Sequence, residues 1–291
     1  MIKKIFLVLS ISFSGFLLNA QDFNTKVAIE ICNCIDTIEN MDSLNAKAVR
    51  CAYAALEIVL ETASEEVQDI FSNDNAVEES LTSAMKMLFS ECPKIREFIL
   101  DDRASRFYRM SDSEEANKNY EDGNRLFKAG SLKEALKPYK DAVRTDPQFV
   151  YALDNLGLTY RKLGKNKKAV DCYKKSLMIY PEGSFALQNL AVAYTNINNY
   201  AQAIDCYERL TFFYPDDAEG YYGTGRVFYL MGDYENSLDY LFIAHKIYLN
   251  QKSDYVSDTE NLISVIHDKL KNLNKLEIFN QKARQYGISV N

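Results

Sequence analysis

The residues best suited to chemistry are cysteines, and four of the six fall in one early stretch: Cys32, Cys34, Cys51 and Cys92. Thiolates either bind zinc or pair as disulfides, and the compartment decides between the two. Cys32 and Cys34 lie two places apart on an apolar helical pattern, which sets them about 200° apart around the axis. So placed, they neither grip one ion together nor bond to each other. Disulfides to separate partners are the expectation, with four reduced core thiols as the alternative. Four cysteines allow three pairings. A turn near Met41 leaves Cys32 and Cys51 equidistant from it, which favours Cys32–Cys51 and leaves Cys34–Cys92. Each bridge stabilises a small domain by about 2–4 kcal/mol. Cys172 and Cys206 are read as small packing residues, because equivalent places on stacked helices lie about 8–10 Å apart, beyond a disulfide's reach.

Other reactive groups are sparse. The two histidines, His245 and His267, both sit on helical patterns far from any partner motif. No Gly-rich phosphate loop, HExxH or nucleophile elbow occurs. Acidic pairs such as Glu65-Glu66, Glu78-Glu79, Glu114-Glu115 and Asp216-Asp217 read as solvated helix faces. The sequence therefore asks for no catalytic residue, no metal and no cofactor, and the expectation is a protein that is not an enzyme. The formal charge is −7, with no run of three or more consecutive basic residues after the first twenty. Nucleic acid is not an expected partner.

The start of the chain has a character of its own. Lys3 and Lys4 precede an apolar stretch from Ile5 to Leu18, and Asn19-Ala20 precedes polar Gln21-Asp22. A charged start, an apolar middle and a small residue at the cut describe a secretory signal peptide over residues 1–20. The apolar stretch is short for a membrane span, so no transmembrane segment is expected after cleavage. Export into the periplasm or onto the outer surface of a Gram-negative bacterium is the expected localisation, and it suits disulfides.

The elements that carry these residues follow from an internal period. Pro147, Pro181 and Pro215 are 34 residues apart, as are Ala135, Ala169 and Ala203, with Ser237 next. Tyr139, Tyr173 and Tyr207 keep the same spacing, with Leu241 next. Gly123, Gly157, Ala191 and Gly225 form a fourth column. The second unit reads Leu153, Leu156-Gly157, Tyr160, Gly164, Ala169, Tyr173, Ser176 and Pro181. This pattern resembles the tetratricopeptide repeat over 116–149, 150–183, 184–217 and 218–251. Small residues let two helices approach, aromatics fill the space between repeats, and Pro ends each unit. Gly130, Gly164, Asn198 and Gly232 mark the turn within each helix pair.

The resemblance implies an all-α fold, a right-handed solenoid of helical hairpins. Capping helices are expected over 252–291, the first from about Ser253 to Lys271 and the last from about Lys275 to Tyr286. Residues 21–110 show no 34-residue register and read as a separate small helical domain. Its stripes run through Val27, Ile31, Ile35 and Ile38, then Ala48, Cys51, Ala52, Ala55 and Val59, then Leu81, Met85, Leu88, Phe89 and Cys92. Pro93 is expected to interrupt the third, and 111–115 to act as linker.

The resemblance also implies a concave groove lined by the first helix of each repeat. Its lining positions are Tyr120, Asn124, Phe127 and Lys128, then Tyr151, Asp154, Asn155, Leu158, Arg161 and Lys162. Phe185, Gln188, Asn189, Val192 and Asn196 follow, then Tyr222, Arg226 and Tyr229. Asn124 and Asn155 match asparagines of a carboxylate-gripping branch of the family, but that branch's basic places are here Tyr120, Phe185 and Asn189. What remains is amide and aromatic, suited to an extended or helical peptide. The expected function is a protein–protein interaction scaffold in the bacterial envelope, its partner a protein or peptide in the groove. The alternative is a regulatory or ligand-binding subunit whose N-terminal helical domain does the recognising. The sequence does not fix the oligomeric state.

Overall fold

The computed structural model describes residues 9–71 and 74–288, and every regular element among them is an α-helix. The first compact unit runs to Asp102. It holds α1 (Leu9–Cys34), α2 (Met41–Glu61), the short α3 (Glu65–Ile70) and α4 (Asp74–Glu91), and α5 (Pro93–Phe107) begins in it. Residues 1–8 of the expected signal segment lie outside the described residues, and residues 9–20 form the start of α1. No helix among the described residues is long and apolar enough to cross a membrane.

Each expected stripe of this unit faces its core. Val27, Ile31 and Ile35 from α1 and its end meet Ala48, Ala52, Ala55 and Val59 from α2, and Leu81, Ala84 and Leu88 from α4. Asn40 caps α2, its side chain accepting from the Ser43 N–H while the Ser43 hydroxyl accepts from the Asn40 N–H. Pro93 opens α5 at its first position, where a missing N–H costs nothing.

The disulfides differ from the expected pairing. Cys32 joins Cys92, and Cys34 joins Cys51. The equidistance argument assumed a tight turn at Met41. Instead α1 stops at Cys34, and residues 35–40 run back without helix to the start of α2. Six extended residues reach about 20 Å, while Cys51 lies about 15 Å along α2 from its first turn. The end of α1 is therefore level with Cys51. Cys32, on the opposite side of α1, faces Cys92 at the end of α4, where the Lys94 ammonium also donates to the Ile35 carbonyl.

The second unit begins at Arg103. The boundary thus falls before 110, because residues 103–113 are held by the helices that follow. Those helices come in pairs: α6 (Glu114–Lys128) with α7 (Leu132–Thr145), α8 (Val150–Lys162) with α9 (Asn166–Ile179), α10 (Ser184–Thr195) with α11 (Tyr200–Phe213), and α12 (Ala218–Met231) with α13 (Tyr234–Asn250). Each packs on its neighbours in order, as a solenoid requires. The first residues of α7, α9, α11 and α13 are 34 apart. Asn198 takes φ +58° in the turn where the other three pairs have Gly at φ +71° to +78°. Pro138 sits inside α7 without ending it.

The small-residue columns work by close approach. A Cβ on Gly157 would stand 2.8 Å from the fully buried Tyr173 ring, and one on Gly123 would stand 2.5 Å from Tyr139. In the third repeat the place of Gly is taken by Ala191. There the Tyr207 ring lies instead against Gly223 of the next repeat, 2.3 Å from where its Cβ would be. α14 (Val256–Asn272) and α15 (Leu276–Gln285) close the end. Ile266, Leu270, Phe279 and Ala283 cover Leu238, Leu241 and Phe242 of the fourth pair. Lys282 bonds Asp239 at 2.7 Å and fastens the cap.

Candidate partner-binding groove

The first helices of the four pairs, α6, α8, α10 and α12, carry the expected lining residues, and these fall into two places rather than one continuous strip. At the N-terminal end, Asn155 Nδ2 donates to Tyr120 Oη at 2.9 Å, and Tyr139 Oη donates to Asn124 Oδ1 at 2.7 Å. The Tyr120 and Tyr151 rings stack with centroids 6.0 Å apart. The two amides therefore brace the wall, and each is already engaged by a phenol.

Tyr108, just beyond α5, covers this end. Its ring lies 4.2 Å from that of Tyr151. Burial, with Asp154 and three tyrosines close by, drives its phenol well above the usual range. The segment is pinned at both ends. Arg103 Nε pairs with Glu182 Oε1 at 2.7 Å, Phe107 stacks on Tyr180, and the Ser111 hydroxyl donates to Asp146. Nothing in the sequence marked Tyr108, since it belongs to no repeat.

Beneath it lies Asp154, 2% exposed, with Oδ1 lacking a hydrogen-bond partner. Burial pushes this carboxyl up to about 7, against the opposing pull of the nearby Ser176 hydroxyl. Asp154 is therefore part of the wall and is not presented to a partner.

The second place is open. Leu158 of α8 and Val192 of α10 are half-buried. Asn189 Nδ2 donates to the Phe185 carbonyl one turn back, at 2.9 Å. Gln188 Nε2 donates to Glu219 Oε2, and Tyr248 Oη donates to Glu219 Oε1, both at 2.7 Å. Glu219 thus ties the third repeat to the fourth, a role its sequence position did not announce. Arg226 is exposed, and Arg161 is half-buried with its side chain engaging the Tyr173 hydroxyl. Both guanidiniums stand near the Tyr207 hydroxyl. Burial pushes that phenol up to about 12 and their charges pull it back. Phe127 is half-buried with the Lys162 ammonium 5.7 Å from its ring centre. Tyr222 and Tyr229 pack partly against the capping cluster and frame the far end. Among the described residues no cluster of His, Cys, Asp and Glu could hold a metal.

Comparisons with known proteins agree on the array. Sequence models described as TPR repeat or tetratricopeptide repeat match residues 123–164, 151–182 and 189–243. A solved structure of MamA, residues 41 to the end, from Desulfovibrio magneticus RS-1 is 18% identical. It covers 60% of this chain and 95% of that one, with a TM-score of 0.50. A MamA double mutant aligns at 18% identity over 61% of this chain and 97% of its own, with a TM-score of 0.51. A tetratricopeptide repeat protein from Parabacteroides merdae is 21% identical, covering 60% and 67% of the two chains, with a TM-score of 0.49. The search of curated protein sequences finds no match. The two MamA likenesses speak to the fold alone. Paired helices in a 34-residue register, glycines under tyrosine rings and three matching repeat models make residues 123–243 of this chain an array of tetratricopeptide repeats.

Proposed function

We propose that the array is an interaction scaffold in the bacterial envelope, and that it holds an extended segment of a partner protein in the open part of its groove. One observation carries the reading. Arg161 of α8 and the exposed Arg226 of α12 bring two guanidiniums near the Tyr207 hydroxyl, with half-buried Leu158 on α8 and Val192 on α10. Two neighbouring cations, one of them exposed, suit a partner's carboxylate. Half-buried Leu158 and Val192 alongside offer apolar contact to such a segment. The N-terminal end of the groove, under Tyr108, is closed to a partner in this arrangement. The pair of disulfides and the leader-like N-terminus support export.

A second reading rests on the first unit. An open cleft of about 470 Å³ lies between α2 and α4, lined by Val49, Ala52, Tyr53, Leu81 and Met85, with Tyr53 61% exposed. Under that reading this domain recognises the target. A photo-crosslinking residue placed at Val192, at Tyr53 or at Glu134 on the outer side of the array separates the two. Partner adducts at Val192 alone support the groove. Adducts at Tyr53 alone move the site to the first unit, and adducts at Glu134 alone exclude both.

A further inference from the structure

The second helices of the first two repeats carry a charge pattern that the solenoid does not need. On α7, Lys133, Lys137, Lys140 and Arg144 follow one another at steps of four, three and four, so they share one face. On α9, Lys167 and Lys174, and Lys168 and Lys175, are seven apart and form two adjacent lines with Asp171 between them. All eight side chains are exposed. Among the described residues none of the seven lysines has a carboxylate within 4.0 Å; only Arg144 is paired, with Asp141. The two rows meet. Lys140 and Lys168 lie on the same Tyr160 ring, 5.8 and 5.7 Å from its centre.

The repeats supply their own control. The same solvent-facing places hold Ala201, Gln202, Asp205, Glu208 and Arg209 on α11, while on α13 Glu235, Asn236 and Asp239 are followed by Phe242, buried under the cap. The fold is built equally well with acids there, so the lysines are not a packing requirement. Residues 124–176 carry 13 Lys and Arg against 5 Asp and Glu, in a chain of net charge −7. At physiological salt the rest of the molecule is screened beyond about 8 Å, so this face acts as locally cationic. In the sequence the stripe shows only as scattered pairs such as Lys167-Lys168 and Lys174-Lys175, and helical spacing brings them onto one face with the α7 row.

We propose that this outer face of α7 and α9 docks on an anionic phospholipid surface, with the groove left facing away for a partner. The chemistry favours headgroups over a folded acidic protein. Seven of the eight cations are lysines, compact point charges without the planar fork that reads a fixed carboxylate geometry. Met178, one turn beyond Lys174 and Lys175 on the same face, is 83% exposed, and Phe212, its equivalent on α11, is 55% exposed. Two apolar side chains beside free lysines suit shallow insertion at a headgroup boundary. The face measures about 20 Å along each helix and about 10 Å between them, and a bilayer accepts such a patch without shape matching.

The test is flotation of the full chain with vesicles of phosphatidylcholine alone and of phosphatidylcholine mixed with phosphatidylglycerol. The apolar N-terminal stretch is common to every variant and sets the baseline. The expected result is binding at least tenfold tighter to the mixed vesicles, lost in about 0.5 M salt. The combined substitution Lys133→Gln, Lys137→Gln, Lys167→Gln and Lys174→Gln, none of whose side chains makes a ring contact or ion pair, removes that preference. Lys118→Gln with Lys269→Gln, Lys271→Gln and Lys275→Gln keeps it. Equal binding to both vesicle types, or an unchanged preference in the first variant, overturns the proposal. So does selective binding of polyglutamate or duplex DNA to this face with no vesicle preference. Far-ultraviolet circular dichroism confirms that each variant is folded.

Discussion

Replacing Asp154 by Asn isolates a buried acid whose cost depends on pH. The carboxyl is 2% exposed, and burial holds its pKa at about 7 in place of 3.8. Below pH 3.8 both the folded and the unfolded chain bind the proton, and the group has no differential effect. Between 3.8 and about 7 only the folded chain keeps it, so stability falls by about 1.4 kcal/mol per pH unit. Over the roughly three units of the shift the loss is about 4 kcal/mol, complete above pH 7. Asn has the same shape and no titration. The difference in unfolding free energy between Asp154→Asn and the wild type is therefore small at pH 4 and grows to about 4 kcal/mol in favour of the variant by pH 8. Urea unfolding of both proteins across that range, followed by circular dichroism, measures it, and the other titrating groups cancel in the difference. A gap independent of pH would show that Asp154 is ionised and satisfied in the folded chain, and the desolvation argument would fail.

Tyr108→Ala admits water to that carboxyl, so the pKa of Asp154 moves back toward 3.8 and the pH-dependent gap shrinks; ¹³C NMR of the Asp154 carboxyl reads it directly, and an unmoved pKa refutes the covering role. Of the two disulfides, Cys32–Cys92 spans 60 residues and Cys34–Cys51 spans 17. On the chain-entropy model the longer loop contributes about 1 kcal/mol more, so Cys32→Ser with Cys92→Ser lowers the melting temperature more than the other double variant, and denatured oxidised chain shows two free thiols, Cys172 and Cys206. Gly157→Ala drives a methyl to 2.8 Å from the Tyr173 ring and costs about 1–3 kcal/mol; a melting temperature equal to wild type contradicts the close-approach reading of that column.

The array was legible because repetition multiplies weak signals. One Tyr or one Pro says little, whereas Tyr139, Tyr173 and Tyr207 in register with three prolines fix a 34-residue unit and its helix pairs. The disulfide pairing was not legible, since it depends on how six residues leave α1, and an extended return has the same sequence look as a tight turn. The groove was half legible. Repeat positions placed Arg161, Asn189, Val192 and Arg226 on the inner helices, but they did not show that Asn155 is already held by Tyr120 or that Asp154 is sealed.

What closes that end comes from outside the period. Tyr108 is preceded by Arg103 and Phe107, polar and aromatic residues that read as a connection between domains. Its position follows from its contacts with Tyr151 and Tyr180 and from the Arg103–Glu182 pair, all at the two ends of one repeat, 150–183, that are brought side by side only once its helices pack. The same limit explains the lysine face. Periodicity along the chain predicts what repeats share, and the solenoid needs only what they share. Whatever singles out one repeat, the exposed Arg226 guanidinium on α12 or a cationic stripe on α7 and α9, is free of the packing constraint, and these departures from the pattern are where a partner can be told apart from water.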